Sequence, residues 1–228
     1  MTKIIFGIFA HPDDEAFGPS GALLKETRAG SQLHLITLTN GDAGTNPDAI
    51  EKLGEVRLRE WQEASKLLGA TTAHHFGYKD GQLNNLAMIE IGDRLVQLVA
   101  DTLKDAPVDA TVEFMTLDLN GYTGHIDHIV AARAACFAFY RLKQSDSRLS
   151  RIRFACLPAR DYSTQNTDWI FMEKGRETDE IDEVIDARDL REELVAIART
   201  HRTQRADGEY FLKTNGDNLG LNYFIVRS

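Results

Sequence analysis

The chain has 228 residues, with 35 acidic against 26 basic side chains and a formal net charge of −9 at neutral pH. That balance argues against a nucleic-acid partner, which selects basic surfaces, and leaves a small neutral substrate open. The longest strongly apolar run near the start, Ile4–Ala10, is too short to span a bilayer and lacks the flanks of a signal peptide. A soluble, cytoplasmic protein without membrane or nucleic-acid partners is therefore expected, with a homo-oligomer left open.

The length suits one generous domain. No repeat or linker interrupts the sequence, so a single unit over 1–228 is expected, with a core over 1–157 and a C-terminal part over 158–228 completing a pocket. Taken in chain order, β-rich runs at Lys3–Phe9, Gln32–Thr39, Ala73–Phe76, Ala110–Met115 and Arg151–Cys156 predict strands. Helical periodicity predicts helices between them at Ser20–Ala29, Ala49–Leu68, Ala87–Leu103 and Asp127–Leu142. In the second helix Leu53, Val56, Trp61, Ala64 and Leu68 share a face; in the fourth, Ile129, Ala132, Cys136, Phe137 and Tyr140 do. Beyond residue 157 a helix near Arg188–Arg202 and a late edge strand at Tyr223–Val226 are expected. Strand–helix alternation of this kind predicts βαβ units and a mostly parallel sheet, an α/β fold. Cys136 and Cys156, both in apolar surroundings, read as free thiols rather than a disulfide or thiolate metal site.

Ligands of open parallel sheets bind outside the carboxyl ends of the strands. The loops there, 11–18, 40–46, 77–82 and 116–128, hold nearly every polar cluster of the first 130 residues. In Phe9-Ala-His-Pro-Asp-Asp-Glu-Ala-Phe-Gly18, His11 and Asp14 stand three apart, so one tight turn can aim both at one point. The loop Gly121–His128 supplies further imidazoles, and His11 and Asp14 with either His125 or His128 make a two-His, one-carboxylate set with open positions. That set suits catalytic zinc and also non-haem iron. Zinc lowers the pKa of a water it holds to roughly 7. Asp13, beside the ion but not on it, then suits a general base. The remaining imidazole suits an oxyanion or leaving-amine partner, oriented by Asp127. The chemistry that follows is metal-assisted hydrolysis of an amide or ester.

These residues resemble the PIG-L/LmbE-like zinc N-deacetylases. The resemblance lies in Ala-His-Pro-Asp-Asp-Glu (10–15) paired with Gly-His-Ile-Asp-His (124–128), and extends through Thr39–Gly44, Arg57-x-x-Glu60, Asp80-Gly81 and His201-Arg-Thr-Gln204. It implies a Rossmann-like fold and deacetylation of an N-acetylglucosamine-type sugar or glycoconjugate. It implies His11, Asp14 and His128 as zinc ligands, with Fe2+ or Co2+ as other candidate ions. Asp13 is implied as general base, and His125, with Asp127 behind it, as acid or oxyanion partner. Arg57 and Asp80 are implied as substrate contacts. Glu15 reads as a helix cap or a support for His11, and His201 and Gln204 as residues securing the last helix against the site loops. Arg57 and Glu60 also fit a plain (i, i+3) surface pair, and His74 and His75 read as structural. Two departures stand out: Ser20-Gly21-Ala22 in place of the family's Gly-Gly-Thr, and Ile126 in place of a frequent proline. An amidase for larger acyl or thiol-conjugate amides is the near alternative. A non-catalytic sugar or nucleotide binder is disfavoured by the retained Asp13 and the lack of a full Gly-x-Gly-x-x-Gly, and a serine hydrolase by the lack of Gly-x-Ser-x-Gly.

Overall fold

The computed structural model describes residues 2–161, 165–166, 171–172 and 174–228. The chain runs β1 (Lys3–Phe9), α1 (Asp14–Phe17), α2 (Ser20–Arg28), β2 (Gln32–Thr39), α3 (Leu53–Leu67), β3 (Thr72–Tyr78), α4 (Asn85–Thr102), β4 (Thr111–Leu117), α5 (Ile126–Lys143) and β5 (Leu149–Cys156). There follow β6 (Gln165–Asn166), β7 (Phe171–Met172), β8 (Glu183–Asp186), α6 (Arg191–Thr200), α7 (Arg205–Asn215) and β9 (Leu221–Arg227). Seven strands form one sheet in the order β3-β2-β1-β4-β5-β9-β8, and β6 pairs with β7 apart from it. Strands β1 to β5 are mutually parallel; β9 runs antiparallel to both β5 and β8. No helix among the described residues is long and apolar enough to cross a membrane.

The central strands read as near-continuous apolar runs because both faces are covered, as parallel sheets require. Ile4, Phe6 and Ile8 of β1 pack with α4 and α5, whereas Ile5 and Phe9 pack with α2, α3 and α6. Strand β3 alternates instead, since it is an edge. The order reverses between β1 and β4, so the loops leaving their carboxyl ends splay apart and open a crevice. Residues 10–18 follow β1 and residues 118–128 follow β4. That is why two motifs more than a hundred residues apart can share one site.

Several boundaries differ from those predicted. The predicted helix at Ala49–Leu68 begins at Leu53, because Asn46 ties off the preceding loop through hydrogen bonds to and from the Ile50 backbone, both 2.9 Å. The Tyr223–Val226 run is not an edge: β9 lies between β5 and β8, a strand too short and too charged to signal itself. Helix α7 is also absent from the predicted elements. On α5 the buried residues include Val130, Ala131, Ala132, Ala134, Ala135, Ala138, Phe139 and Leu142, so of the predicted face Ala132 is buried, while Phe137 and Tyr140 are each 39 % exposed. Alanines let α5 approach the sheet closely. Phe137 packs sideways on α4 at Gly92, where a Cβ would stand 2.5 Å from its ring. Both thiols are free, Cys156 buried and Cys136 partly so.

His34 on β2 illustrates what this burial costs. Its ring stacks on Phe6 at 5.0 Å, Nδ1 bonds Thr72 Oγ1 at 2.8 Å, and Nε2 lacks a partner among the described residues. Burial, with a smaller push from His74, drops its pKa to about 4. The unfolded chain takes that proton near pH 6.5, so stability is full above 6.5 and falls as pH drops towards about 4. The loss should reach the order of 2–3 kcal/mol. Urea unfolding of wild type and His34→Leu across this window checks it. On acidification wild type should lose stability relative to His34→Leu by that amount, and parallel profiles would refute the assignment.

Candidate metal centre and active site

The loop after β1 is a tight polar turn. Asp14 Oδ2 accepts the backbone N–H groups of Ala10 (3.0 Å) and His11 (2.9 Å), which fixes the carboxylate and leaves Oδ1 facing His128 Nε2 at 3.0 Å. Asp13 sits at φ 131°, a conformation costly for a residue with a side chain. Its carbonyl starts the single turn of α1 by accepting from Ala16 and Phe17.

The tautomers of the two histidines follow from their partners. His128 Nδ1 lies 3.0 Å from the Gly121 carbonyl, which can only accept, so Nδ1 carries the proton and Nε2 presents a lone pair. His11 Nε2 lies 3.0 Å from Asp80 Oδ1 and 3.3 Å from Asp127 Oδ2, so its N–H points there and Nδ1 presents the lone pair. His11 Nδ1, His128 Nε2 and Asp14 are then grouped at 3.0 to 3.8 Å, with unshared electron pairs aimed at one another. With both rings neutral, such a group repels itself unless a positive charge, a metal ion or a proton on His11 Nδ1, sits among its members. Donors held at ~2.0–2.1 Å from one zinc ion in a tetrahedron would stand about 3.3 Å apart, so the set fits a small divalent metal. The electrostatics agree. Burial raises the Asp14 pKa, but His128 and His11 outweigh it and hold the carboxylate well below its usual range. Burial lowers that of His11, but hydrogen bonds to Asp127, Asp14 and Asp80 outweigh it and raise it, the mark of a site demanding positive charge. His125 lies within the same group of imidazoles.

Asp80 and Asp127 thus lie elsewhere than the resemblance implies. Asp80, expected to face substrate, is buried, and its second oxygen accepts Ala43 N–H at 2.9 Å. Asp127 does not orient the His125 imidazole with its carboxylate. That group accepts from Gly81 N (2.8 Å), Leu83 N (3.1 Å) and His11, while the Asp127 backbone N–H donates to His125 Nδ1 at 3.1 Å. The two carboxylates together orient His11, as carboxylate partners of metal-binding histidines do. His125 caps α5 through Nδ1, so its neutral ring carries the proton on Nε2. Burial, with His128 and His11 nearby, drops its pKa to about 4, which keeps it neutral near pH 7.

Asp13 has the opposite perturbation. Burial raises its pKa and the neighbouring Asp14 adds to this, Arg57 opposes them, and the outcome is about 6. Arg57 is 4 % exposed, and its guanidinium donates to Asp13 Oδ2 (2.8 Å), Pro12 O (2.9 Å) and Gly41 O (2.8 Å). Expected as a substrate contact, it is buried and bonded to the loops after β1 and β2, with Nε unpartnered among the described residues. Gly41 and Gly44 make room for it, since a Cβ on either would stand within 2.5 Å of the guanidinium. Arg57 and Glu60 do not form the alternative surface pair. Both lie on the buried stripe of α3 with Trp61 and Ala64, and Glu60 accepts from the backbone N–H and hydroxyl of Thr203. Glu60 and Thr203 are the residues missed as site supports. Their signal was available, because positions 57, 60, 61 and 64 share one helical face.

The late motif reaches the same loops. His201 Nε2 meets Glu15 Oε1 at 3.0 Å, and Gln204 donates to Thr45 O at 3.0 Å. Asn222 on β9 accepts Ala22 N–H at 2.8 Å and so occupies the start of α2, where the Ser20-Gly21-Ala22 departure falls. A cleft of about 160 Å³ is lined by Gly18 and Tyr122 from the two site loops and by Ser20, Thr214, Asn215, Asn218 and Asn222; none of the candidate metal donors lines it.

A mostly parallel α/β sheet carrying, at its switch point, a group of His and Asp side chains that could hold a metal ion defines the class: an α/β protein with a candidate metal site. The chain belongs to the PIG-L family, whose model, described as GlcNAc-PI de-N-acetylase, matches residues 6–139. Among its relatives, a 1D-myo-inositol 2-acetamido-2-deoxy-alpha-D-glucopyranoside deacetylase of Acidothermus cellulolyticus is 25 % identical over 99 % of this chain and 89 % of its own. A protein named as a second such deacetylase of Saccharopolyspora erythraea is 27 % identical over 96 % and 91 %. The solved N,N'-diacetylchitobiose deacetylase of Pyrococcus horikoshii superposes with TM-score 0.64 at 18 % identity, covering 99 % of this chain and 83 % of that one. GalB, a 4-carboxy-2-hydroxymuconate hydratase of Pseudomonas putida, does so with TM-score 0.65 at 15 % identity, covering 100 % and 97 %. The fold therefore hosts more than one reaction, and the chemistry must be argued from the site.

Proposed function

We propose that the protein is a zinc-dependent hydrolase that removes the N-acetyl group from an N-acetylglucosamine-type sugar or glycoconjugate. The observation that carries this reading is the grouping of His11 Nδ1, His128 Nε2 and Asp14, with Asp13 close enough to feel the charges of Asp14 and His11. His11, Asp14 and His128 would hold the metal, which when bound polarises a carbonyl and lowers the pKa of water. Asp13, with a pKa of about 6, is ionised near neutrality and takes a proton from the attacking water. His125, neutral with Nε2–H as its donor, hydrogen-bonds the carbonyl oxygen as negative charge develops there. The amide C–N bond then breaks, Asp13 returns its proton to the leaving nitrogen, and acetate and the free amino sugar result. Asp80 and Asp127 hold His11 in the required tautomer.

Deacetylase relatives that align over nearly the whole chain support the reaction class. Those relatives support the substrate class as well, since they are named for a 2-acetamido-2-deoxy-glucopyranoside. Residues of the 158–228 part, with β9 in the main sheet, complete the cleft lined by Gly18 and Tyr122. The test is release of product from a matched set of amides by zinc-loaded protein. N-acetylglucosaminyl glycosides should be cleaved to acetate at least tenfold faster, by kcat/KM, than N-butanoyl or thiol-conjugate analogues. A reversed preference would establish the larger-acyl amidase instead.

A further inference from the structure

The strained general base is gripped from two sides, and both grips lead to one distant turn. Asp13 holds φ 131° only if its surroundings enforce it. On the backbone side, Asp13 N–H donates to Glu15 Oε2 at 3.2 Å. Glu15 is fully buried, and its other oxygen meets His201 Nε2 at 3.0 Å. His201 is itself 1 % exposed and wedged edge-on against Phe17 at 5.7 Å. On the side-chain side, Arg57 donates to Asp13 Oδ2 at 2.8 Å. One helical turn on, Glu60 binds the Thr203 backbone N–H at 3.1 Å and the Thr203 hydroxyl at 2.6 Å. His201 and Thr203 are two residues apart, so the contacts close a ring: Asp13, Glu15, His201, Thr203, Glu60, Arg57 and back to Asp13. Gln204, next in the same turn, holds Thr45 O in the glycine loop that receives Arg57.

We propose that the turn 201–204 is a clamp for the general base, with His201 and Thr203 acting as positioning residues that set the orientation of Asp13 through Glu15 and through Glu60 and Arg57. Among the described residues neither hydrogen-bonds His11, Asp14 or His128; their partners are Glu15 and Glu60. The clamp rests on the reading of Asp13 as base. A purely structural role for the turn would tie α6 to α3 and affect folding alone. The clamp instead requires that loosening the turn slow the chemical step only when Asp13 is there to be misplaced. Proton transfer is sensitive to ångström-scale misplacement, and errors of that size can cost about 10²-fold.

The experiment is a double-mutant cycle on zinc-loaded protein, with His201→Leu, Asp13→Asn and the pair, reading kcat, KM and zinc stoichiometry. His201→Leu should lower kcat about 10–100-fold with KM and bound zinc within about twofold of wild type, and should have no further effect in the Asp13→Asn background. His201→Gln, whose amide can still donate to Glu15, should restore kcat to within about fivefold. Equal effects of His201→Leu with and without Asp13 would overturn the clamp while leaving the base intact. Full activity of Asp13→Asn alone would overturn the base, and the clamp with it. Should His201→Leu fail to fold, Thr203→Val carries the same cycle through the other arm, removing one hydroxyl contact to Glu60. It should reduce kcat severalfold in the presence of Asp13 only, and unchanged kcat there would overturn the proposal.

Discussion

Asp13→Asn should retain a full complement of zinc and lose between about 10² and 10⁴ in kcat, with KM nearly unchanged. The range is that of a lost general base. The asparagine keeps the size and one acceptor oxygen, so Arg57 can still donate at the position of Oδ2, and the loop should stay in place. What it loses is the ability to accept a proton. The environment of Asp13 suits the proposed task. Burial lifts its pKa to about 6 despite Arg57, which leaves it ionised near pH 7 yet only weakly acidic once protonated. A kcat near wild type in this variant, with metal retained, would remove Asp13 from the chemistry.

The second large effect is expected at the metal donors. His11→Ala and His128→Ala should each bind zinc at least about 100-fold more weakly and show no turnover at stoichiometric metal. Each would remove one of the three donors proposed above, and second-sphere changes alone cost ~10–100-fold in affinity. The two variants should differ in stability. His11 is tied to Asp80 and Asp127, whose carboxylates would be left buried without their shared donor. His128 has only the Gly121 carbonyl behind it. Metal-free His11→Ala should therefore be the less stable protein. Calorimetric zinc titration and thermal unfolding of the metal-free variants measure both quantities. Wild-type affinity after His128→Ala would transfer the third donor role to His125, whose ring lies 4.9 Å away, centroid to centroid.

The positions of the candidate site's loops are legible in the sequence. Strands β1 and β2 fall where β-rich runs place them, and a parallel sheet puts the loops after β1 and β4 side by side. Local chemistry then identifies His11, Asp13 and Asp14 as a group worth explaining. Partnership was harder to read. Asp127 adjoins His125 and was expected to serve it, but its carboxylate turns to His11 because Gly81 and Leu83 offer backbone N–H groups on that side. Arg57 and Glu60 resemble a surface ion pair because charged residues three apart on a helix usually are one. Only their place on the stripe of Trp61 and Ala64 betrays burial, and the residues that satisfy them, Asp13 and Thr203, lie 44 and 143 positions away. Spacing encodes which face a residue takes. It does not encode what the fold brings against that face. The same limit explains β9, whose apolar run marks a strand but not whether another strand, β8, lies outside it.

The most direct measurement is acetate release from an N-acetylglucosaminyl glycoside by chelator-stripped protein titrated with zinc. Stripped protein should be inactive, and activity should rise linearly and saturate at one equivalent of metal per chain. Acetate release at full rate by the stripped protein would contradict the metal-dependent mechanism. No acetate release at one equivalent, with zinc bound, would contradict the deacetylase assignment.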